Sequence, residues 1–323
     1  MNAAPQSGQG SSTLQDPSAV SAPQIRGDDP RLIPNFDATI TTFRKPRLNQ
    51  DHVAAYCRDG YLLYHQPVLR EPQFLRLRDK FEELLALSEA EGTRPEAMDV
   101  PHFRDHSLFE WVFSDEILDL VEPLIGPNIA LYSSHFLAKP PGTGKRVPWH
   151  EDSAYWKGQM QPMHVCTVWL SIDPSLPENG CMHVIPRTLH GYSEYAPVDA
   201  EVNVFDNEVA WLRNVDTSSV SRVESAPEGV ALRAQPCHLR PNEASLHDAR
   251  LIHGSDGNRS NLRRCGYTMR FIPASVYWDE DQQRLPHQIY LARGQGHPEN
   301  RYADPEKSYP DLYQQRTRYS NSH

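Results

Sequence analysis

Two short patterns, Trp149-His150-Glu151-Asp152 and Leu251-Ile252-His253-Gly254-Ser255, place metal-binding residue types in stretches that otherwise read as β-strand. Side chains alternate along a strand, so His150 and Asp152 share one face while Trp149 and Glu151 point away. An HxD triplet arises readily by chance in a chain with 15 histidines, so the pair means little without a third ligand. His253, at the end of an apolar-alternating run and opposite the HxD strand, completes a set of two histidines and one carboxylate. Such a set covers one face of an octahedral ion and leaves three adjacent positions open, which suits non-haem Fe(II) and dioxygen. Zinc is the competing ion, but it more often keeps a single open position. His135, His164, His183, His190 and His247 read individually as packed or surface residues. His247 is followed directly by Asp248, a poor chelate because strand neighbours face opposite ways.

A third run, Arg263-Arg264-Cys265-Gly266-Tyr267-Thr268-Met269-Arg270-Phe271, carries arginines inside a β-rich segment. Period two puts Arg264, Gly266, Thr268 and Arg270 on one face, with small residues between two cations. A buried guanidinium needs an anionic partner, so this face has the form of a slot for an elongated dianion. The bland alternative is an exposed strand whose arginines pair with surface acids.

Positioning these groups requires a β framework. IALYSSHFLAKPPG, VPWHEDSAYW, HVCTVWLSI, MHVIP, SLHDARLIHG and RRCGYTMRFIP are short β-rich runs separated by Pro, Gly and Asn turns. Before them the period is helical. Asn49 or Asp51 can cap LNQDHVAAYCRDG, Gly60 stops it, and YLLYH follows as a strand. Phe74, Leu77, Phe81, Leu84 and Leu85 mark one apolar helix face, and a further helical pattern from Phe109 to Leu124 ends at Gly126. The expected fold is mainly β with flanking helices: a barrel or a two-sheet jelly roll, the latter a cupin-like double-stranded β-helix core. Residues 1–30 are expected to be a flexible tail, 31–323 a single domain, and the polar stretch 193–228 an insertion or lid over the barrel mouth.

Composition narrows the partners. The chain has 323 residues, 42 Asp and Glu against 32 Lys and Arg, and a formal net charge of -10. An acidic balance argues against nucleic-acid or anionic-membrane partners, and no apolar run is long enough to span a bilayer. The five cysteines are scattered, with no CxxC pair, so neither a disulfide framework nor a thiolate zinc site is indicated. No signal-like segment is visible, making a cytoplasmic location the default. The expected partner is a small-molecule substrate, and the expected state a monomer or homodimer.

Taken together, the HxD, the His-Gly-Ser about a hundred residues later and the arginine eleven residues beyond that resemble the phytanoyl-CoA dioxygenase family of Fe(II)/2-oxoglutarate-dependent oxygenases. The likeness runs from about Asp51 to Pro273. It includes Asp59-Gly60-Tyr61, Lys139-Pro140-Pro141-Gly142, Pro148 to Trp156, Glu178-Asn179-Gly180-Cys181, Val184-Ile185-Pro186 and His253 to Arg270. The resemblance implies Fe(II) on His150, Asp152 and His253, with 2-oxoglutarate and O2 as cosubstrates. Arg264 would take the far carboxylate of 2-oxoglutarate, with Ser255, Trp169, Ser133 and His135 lining its site; His135 is not the residue usual there. Tyr155, Trp156 and Arg270 are candidate substrate contacts. Relatives that halogenate replace the carboxylate with Ala or Gly, so Asp152 favours hydroxylation or another oxidation over halogenation, with release of succinate and CO2. Arg187 stands where the family pattern often has glycine, a departure expected to alter a turn. The rival readings are a zinc-dependent hydrolase or isomerase on a cupin-like barrel, which has no need for Arg264, and a non-catalytic member with a vestigial site.

Overall fold

The computed structural model describes residues 47–213, 233–283 and 285–322. The expected tail, residues 1–30, lies outside them, as does the 214–228 part of the expected lid. Within them, two antiparallel sheets face each other. The larger runs in the order Tyr61–Tyr64, Ala244–Asp248, Cys166–Ser171, Arg264–Pro273, Ile129–Lys139 and Tyr290–Arg293, with Met98–Asp99 added to Ile129–Lys139. The smaller is Gln235–Pro236, Met182–Val184, His253–Ser255 and Val147–His150. From Ile129 onward the chain passes repeatedly between the sheets, which gives the expected jelly-roll core. The run expected to carry His253 as one strand is in fact two: it breaks after Asp248 and crosses from the large sheet to the small one before His253.

The large sheet buries one face under helices. Phe74, Leu77, Phe81, Leu84 and Leu85 of the helix Glu71–Ala90, with Ile117, Leu120 and Val121 of the helix Asp115–Ile125, pack on Phe136, Val168, Leu170, Leu246, Tyr267, Met269 and Phe271. Phe136 stacks on Tyr267 at 4.0 Å and meets Phe81 at 5.2 Å. Because strands have period two, covering this face commits the intervening residues, Ser133, His135, Trp169, His247, Arg264, Thr268 and Arg270, to the opposite one. A bulge opposite Arg270/Phe271 breaks the alternation, so that Tyr132 and Ser133 both reach the cavity between the sheets.

The first helix, Gln50–Asp59, has Asn49 as its cap, with reciprocal bonds to His52, and ends at Gly60 in the left-handed conformation (φ 82°). A C-terminal helix, Pro310–Ser322, was not anticipated from the sequence. No helix among the described residues is long and apolar enough to cross a membrane.

Several histidines are buried in the neutral form. Burial pulls His102 down to about 3, and it holds His247 and His287 well below the ordinary imidazole value. A base whose folded-state value is depressed leaves the unfolded chain binding more protons. Stability should therefore be full above about pH 6.5 and decline below it, for His102 until about pH 3, by up to about 1.4 kcal/mol per pH unit for each such histidine. Urea unfolding of the metal-free protein between pH 7.5 and pH 5 should show this slope, and a flat profile would contradict the neutral burial of these rings.

Candidate metal and cosubstrate site

His150 ends the strand Val147–His150 and pairs in register with His253, the first residue of the neighbouring strand His253–Ser255. Each ring Nδ1 lies 2.9 Å from a backbone carbonyl two residues earlier, Pro148 for His150 and Leu251 for His253. A carbonyl oxygen only accepts, so both Nδ1 atoms carry the proton and both Nε2 atoms present lone pairs. The two rings lie 4.2 Å apart. Asp152 is not on the strand as expected but opens a short 3-10 turn, Asp152–Ala154, which folds the carboxylate back toward the rings. One ligand atom from each of the three residues lies within 4.8 Å of the others, and all three side chains are buried. Glu151 points away, as alternation requires, and its carboxylate accepts from the Ser193 amide.

The protonation states suit a metal. Burial, reinforced by the neighbouring His253, pulls His150 down to about 3, and burial lowers His253 as well. Burial alone would raise Asp152, but Arg270 and the imidazoles outweigh it and hold the carboxyl well below the usual carboxylate range. At neutral pH the set is two neutral imidazoles and one carboxylate, the ligand forms that divalent iron requires.

Arg264 lies in the same cavity, which has a volume of about 500 Å³. It is fully buried, donates from Nη1 to the Gly180 carbonyl at 2.6 Å and lies 5.1 Å from the Trp169 ring. Its Nε has no partner, and no carboxylate among the described residues forms an ion pair with it. Burial pulls it down to about 10, with only the thiols of Cys181, Cys265 and Cys237 opposing. An uncompensated buried guanidinium with an orphaned N–H fits an anion that binds from outside the chain. Ser255 and Trp169 line the same cavity. A Cβ at Gly266 would stand 2.1 Å from the Trp169 indole, so glycine is what lets that ring lie flat against the sheet. Gly266→Ala should cost about 1–3 kcal/mol through overpacking. Thermal scanning should show a lowered Tm that adding Trp169→Leu recovers; no recovery would place the strain elsewhere.

Comparison with known proteins bears on the same residues. A family model for phytanoyl-CoA dioxygenase (PhyH) matches residues 56–266, a span that contains the triad and Arg264. The chain belongs to this family. Its curated relatives include a probable alpha-ketoglutarate-dependent hypophosphite dioxygenase of Stutzerimonas stutzeri, 27% identical over 51% of this chain and 52% of the relative. An L-proline trans-4-hydroxylase of Streptomyces griseoviridis is 27% identical over 67% of this chain and 83% of its own length. The chain thus spans only about half the length of the first of these. Among solved structures, the non-heme monooxygenase ThoJ shares the fold with a TM-score of 0.60 and 19% identity, over 84% of this chain and 99% of ThoJ. Relatives in this family carry the names of oxygenases, and the zinc hydrolase reading has no comparable support.

In this chain the remaining candidates all reach the cavity, with different partners. His135 is fixed by a 3.0 Å contact from Nε2 to the Glu96 carbonyl. Ser133 Oγ stands 3.5 Å from Arg270. Arg270, expected as a substrate contact, donates from Nε to Asp152 at 3.2 Å and lies over Trp156 at 5.4 Å. Tyr155 packs on Phe205 and has a buried hydroxyl with no partner. Phe205, Asp206 and Asn207, from the described part of the expected lid, line the cavity, with Phe205 5.1 Å from the His150 ring.

Two contributors, His247 and Arg316, went unrecognised in the sequence. His247, set aside as a poor chelate, packs at 4.9 Å on His253 in the cavity, with its Nδ1 unpartnered. Its parity with Leu246, which faces the helices, is the signal that places it there. Arg316 of the C-terminal helix enters the cavity wall and pairs with Asp99 at 2.6 Å beside His287; nothing local marks either residue. Arg187, the departure from glycine, does adopt the left-handed conformation glycine favours (φ 69°). Its amide donates to the Asp59 carbonyl at 2.9 Å and its Nε to the Asp59 carboxylate at 3.1 Å.

Proposed function

We propose that this protein is an iron- and 2-oxoglutarate-dependent oxygenase that hydroxylates an unactivated C–H bond of a small-molecule metabolite. The observation that carries the reading is an intact carboxylate-containing triad in one cavity with a buried arginine that lacks an acid partner. His150, Asp152 and His253 would hold the iron. Arg264 would clamp the far carboxylate of 2-oxoglutarate through a charge-assisted fork, with Ser255 and Trp169 beside it. Bound together, iron and 2-oxoglutarate supply an oxidant made from dioxygen, with succinate and CO2 released. The chain's own part is to fix these groups, exclude water and present one C–H bond to the open side of the site.

Arg270 holds the Asp152 carboxylate in place, so its loss should loosen the metal set. Tyr155, Trp156 and Phe205 form an aromatic wall on the substrate side, where the free Tyr155 hydroxyl offers a hydrogen bond to a polar substrate. The proline hydroxylase among the relatives supports a small polar substrate. The test is anaerobic addition of Fe(II) and 2-oxoglutarate, which should give a weak visible charge-transfer band. Air and a metabolite panel should then yield succinate together with a product heavier by one oxygen atom. Correctly folded protein that shows neither band nor succinate overturns the reading.

A further inference from the structure

Behind the Arg264 end of the cavity lies a second buried cation, Lys139, the strand partner of Arg264 across the large sheet. It is fully buried, forms no ion pair among the described residues, and is not itself part of the cavity wall. Its ammonium donates to Ser255 Oγ at 2.7 Å, to the Ser255 carbonyl at 3.4 Å and, at short range, to the Asp256 carbonyl. The surroundings are built to hold it. The Asn258 side chain donates to the Lys139 carbonyl at 3.2 Å, and a Cβ at Gly144 would stand 2.7 Å from the Lys139 Cβ, so the following loop closes directly over it.

The consequence lies in the hydrogen-bond roles. An ammonium has three N–H donors and no acceptor, and all three are used here. Ser255 Oγ must therefore accept from Lys139, which leaves its single O–H free to donate into the cavity that it lines with Arg264. We propose that Lys139 is a positioning residue that presets the Ser255 hydroxyl as a donor to the distal carboxylate of 2-oxoglutarate. The proposal rests on the cosubstrate reading above. Burial and the nearby Arg264 push the Lys139 ammonium below the ordinary lysine value, while Asp256 and Glu96 oppose them.

The test is calorimetric titration of 2-oxoglutarate into the anaerobic Mn(II)-loaded protein. Lys139→Met, which keeps the chain length, should weaken 2-oxoglutarate binding by about 10- to 100-fold, the scale of one hydrogen bond to a charged group. Mn(II) affinity without 2-oxoglutarate should not change. Ser255→Ala should weaken binding similarly, and the double variant should bind no more weakly than Ser255→Ala alone. Wild-type affinity in Lys139→Met, or losses that multiply in the double variant, would overturn the proposal. If Lys139→Met does not fold, Lys139→Gln, which retains a donor for one backbone carbonyl, takes its place with the same readouts. Failure of the wild-type protein to bind 2-oxoglutarate at all would instead remove the cosubstrate reading.

Discussion

Asp152→Asn protein should fold and lose its iron-dependent turnover. The side chain is nearly isosteric, but the charge it removes serves two neighbours: it is the only carboxylate in the triad and it accepts from Arg270 at 3.2 Å. Altering a residue that merely supports a metal ligand typically costs 10- to 100-fold in affinity or activity, so loss of a ligand charge should exceed about 100-fold. The fold should persist because the main core lies on the opposite face of the large sheet, among Phe81, Phe136, Tyr267 and Met269. Some stability should be lost, because Arg270 keeps its burial without its partner. Fe(II) titration under anaerobic conditions and succinate release together check the result. Succinate production at the wild-type rate would remove Asp152 from the metal set.

Arg264→Met should change stability and cosubstrate binding in opposite directions. In the ligand-free protein Arg264 is a buried cation with an orphaned Nε and no carboxylate. Replacing such a charge by an apolar side chain of similar volume should stabilise the metal-free protein, by an amount on the order of 1 kcal/mol or more. The same change removes the group expected to clamp the dianion, and truncating one partner of a buried charge pair costs about 2 kcal/mol at least, or roughly 30-fold in affinity. The variant should thus melt higher and bind 2-oxoglutarate more weakly. Arg264→Lys is the control, since it keeps the charge but loses the planar fork. A lower melting temperature in Arg264→Met would mean that Arg264 is there for structure, held by Gly180 and Trp169, and not for a ligand.

Much of this site is legible in the sequence because its grammar is local. His150 and Asp152 are two residues apart, His253 is followed by Gly254 and Ser255, and Arg264 shares strand parity with Thr268 and Arg270; the family resemblance then ties these pieces to iron and 2-oxoglutarate. The helix faces at Phe74, Leu77, Phe81 and Leu84 follow from a 3.6-residue period for the same reason. Strand periodicity even holds the clue to His247, had Leu246 been used to fix which face was covered.

The tertiary structure decided the rest, because those features depend on which strands become neighbours and where the chain turns. Asp152 reaches the candidate metal set from a 3-10 turn instead of from the strand, since the chain must leave the small sheet after His150. Arg270 meets Asp152, 118 residues away in sequence, only once the two sheets close. Lys139 reaches Ser255, 116 residues distant, and Arg316 enters the cavity wall from a helix with no motif to announce it. Periodicity assigns a side chain to a face. Which groups then meet across the cavity is fixed by register, a bulge opposite Arg270 and Phe271, and closure of the barrel, none of which a local pattern encodes.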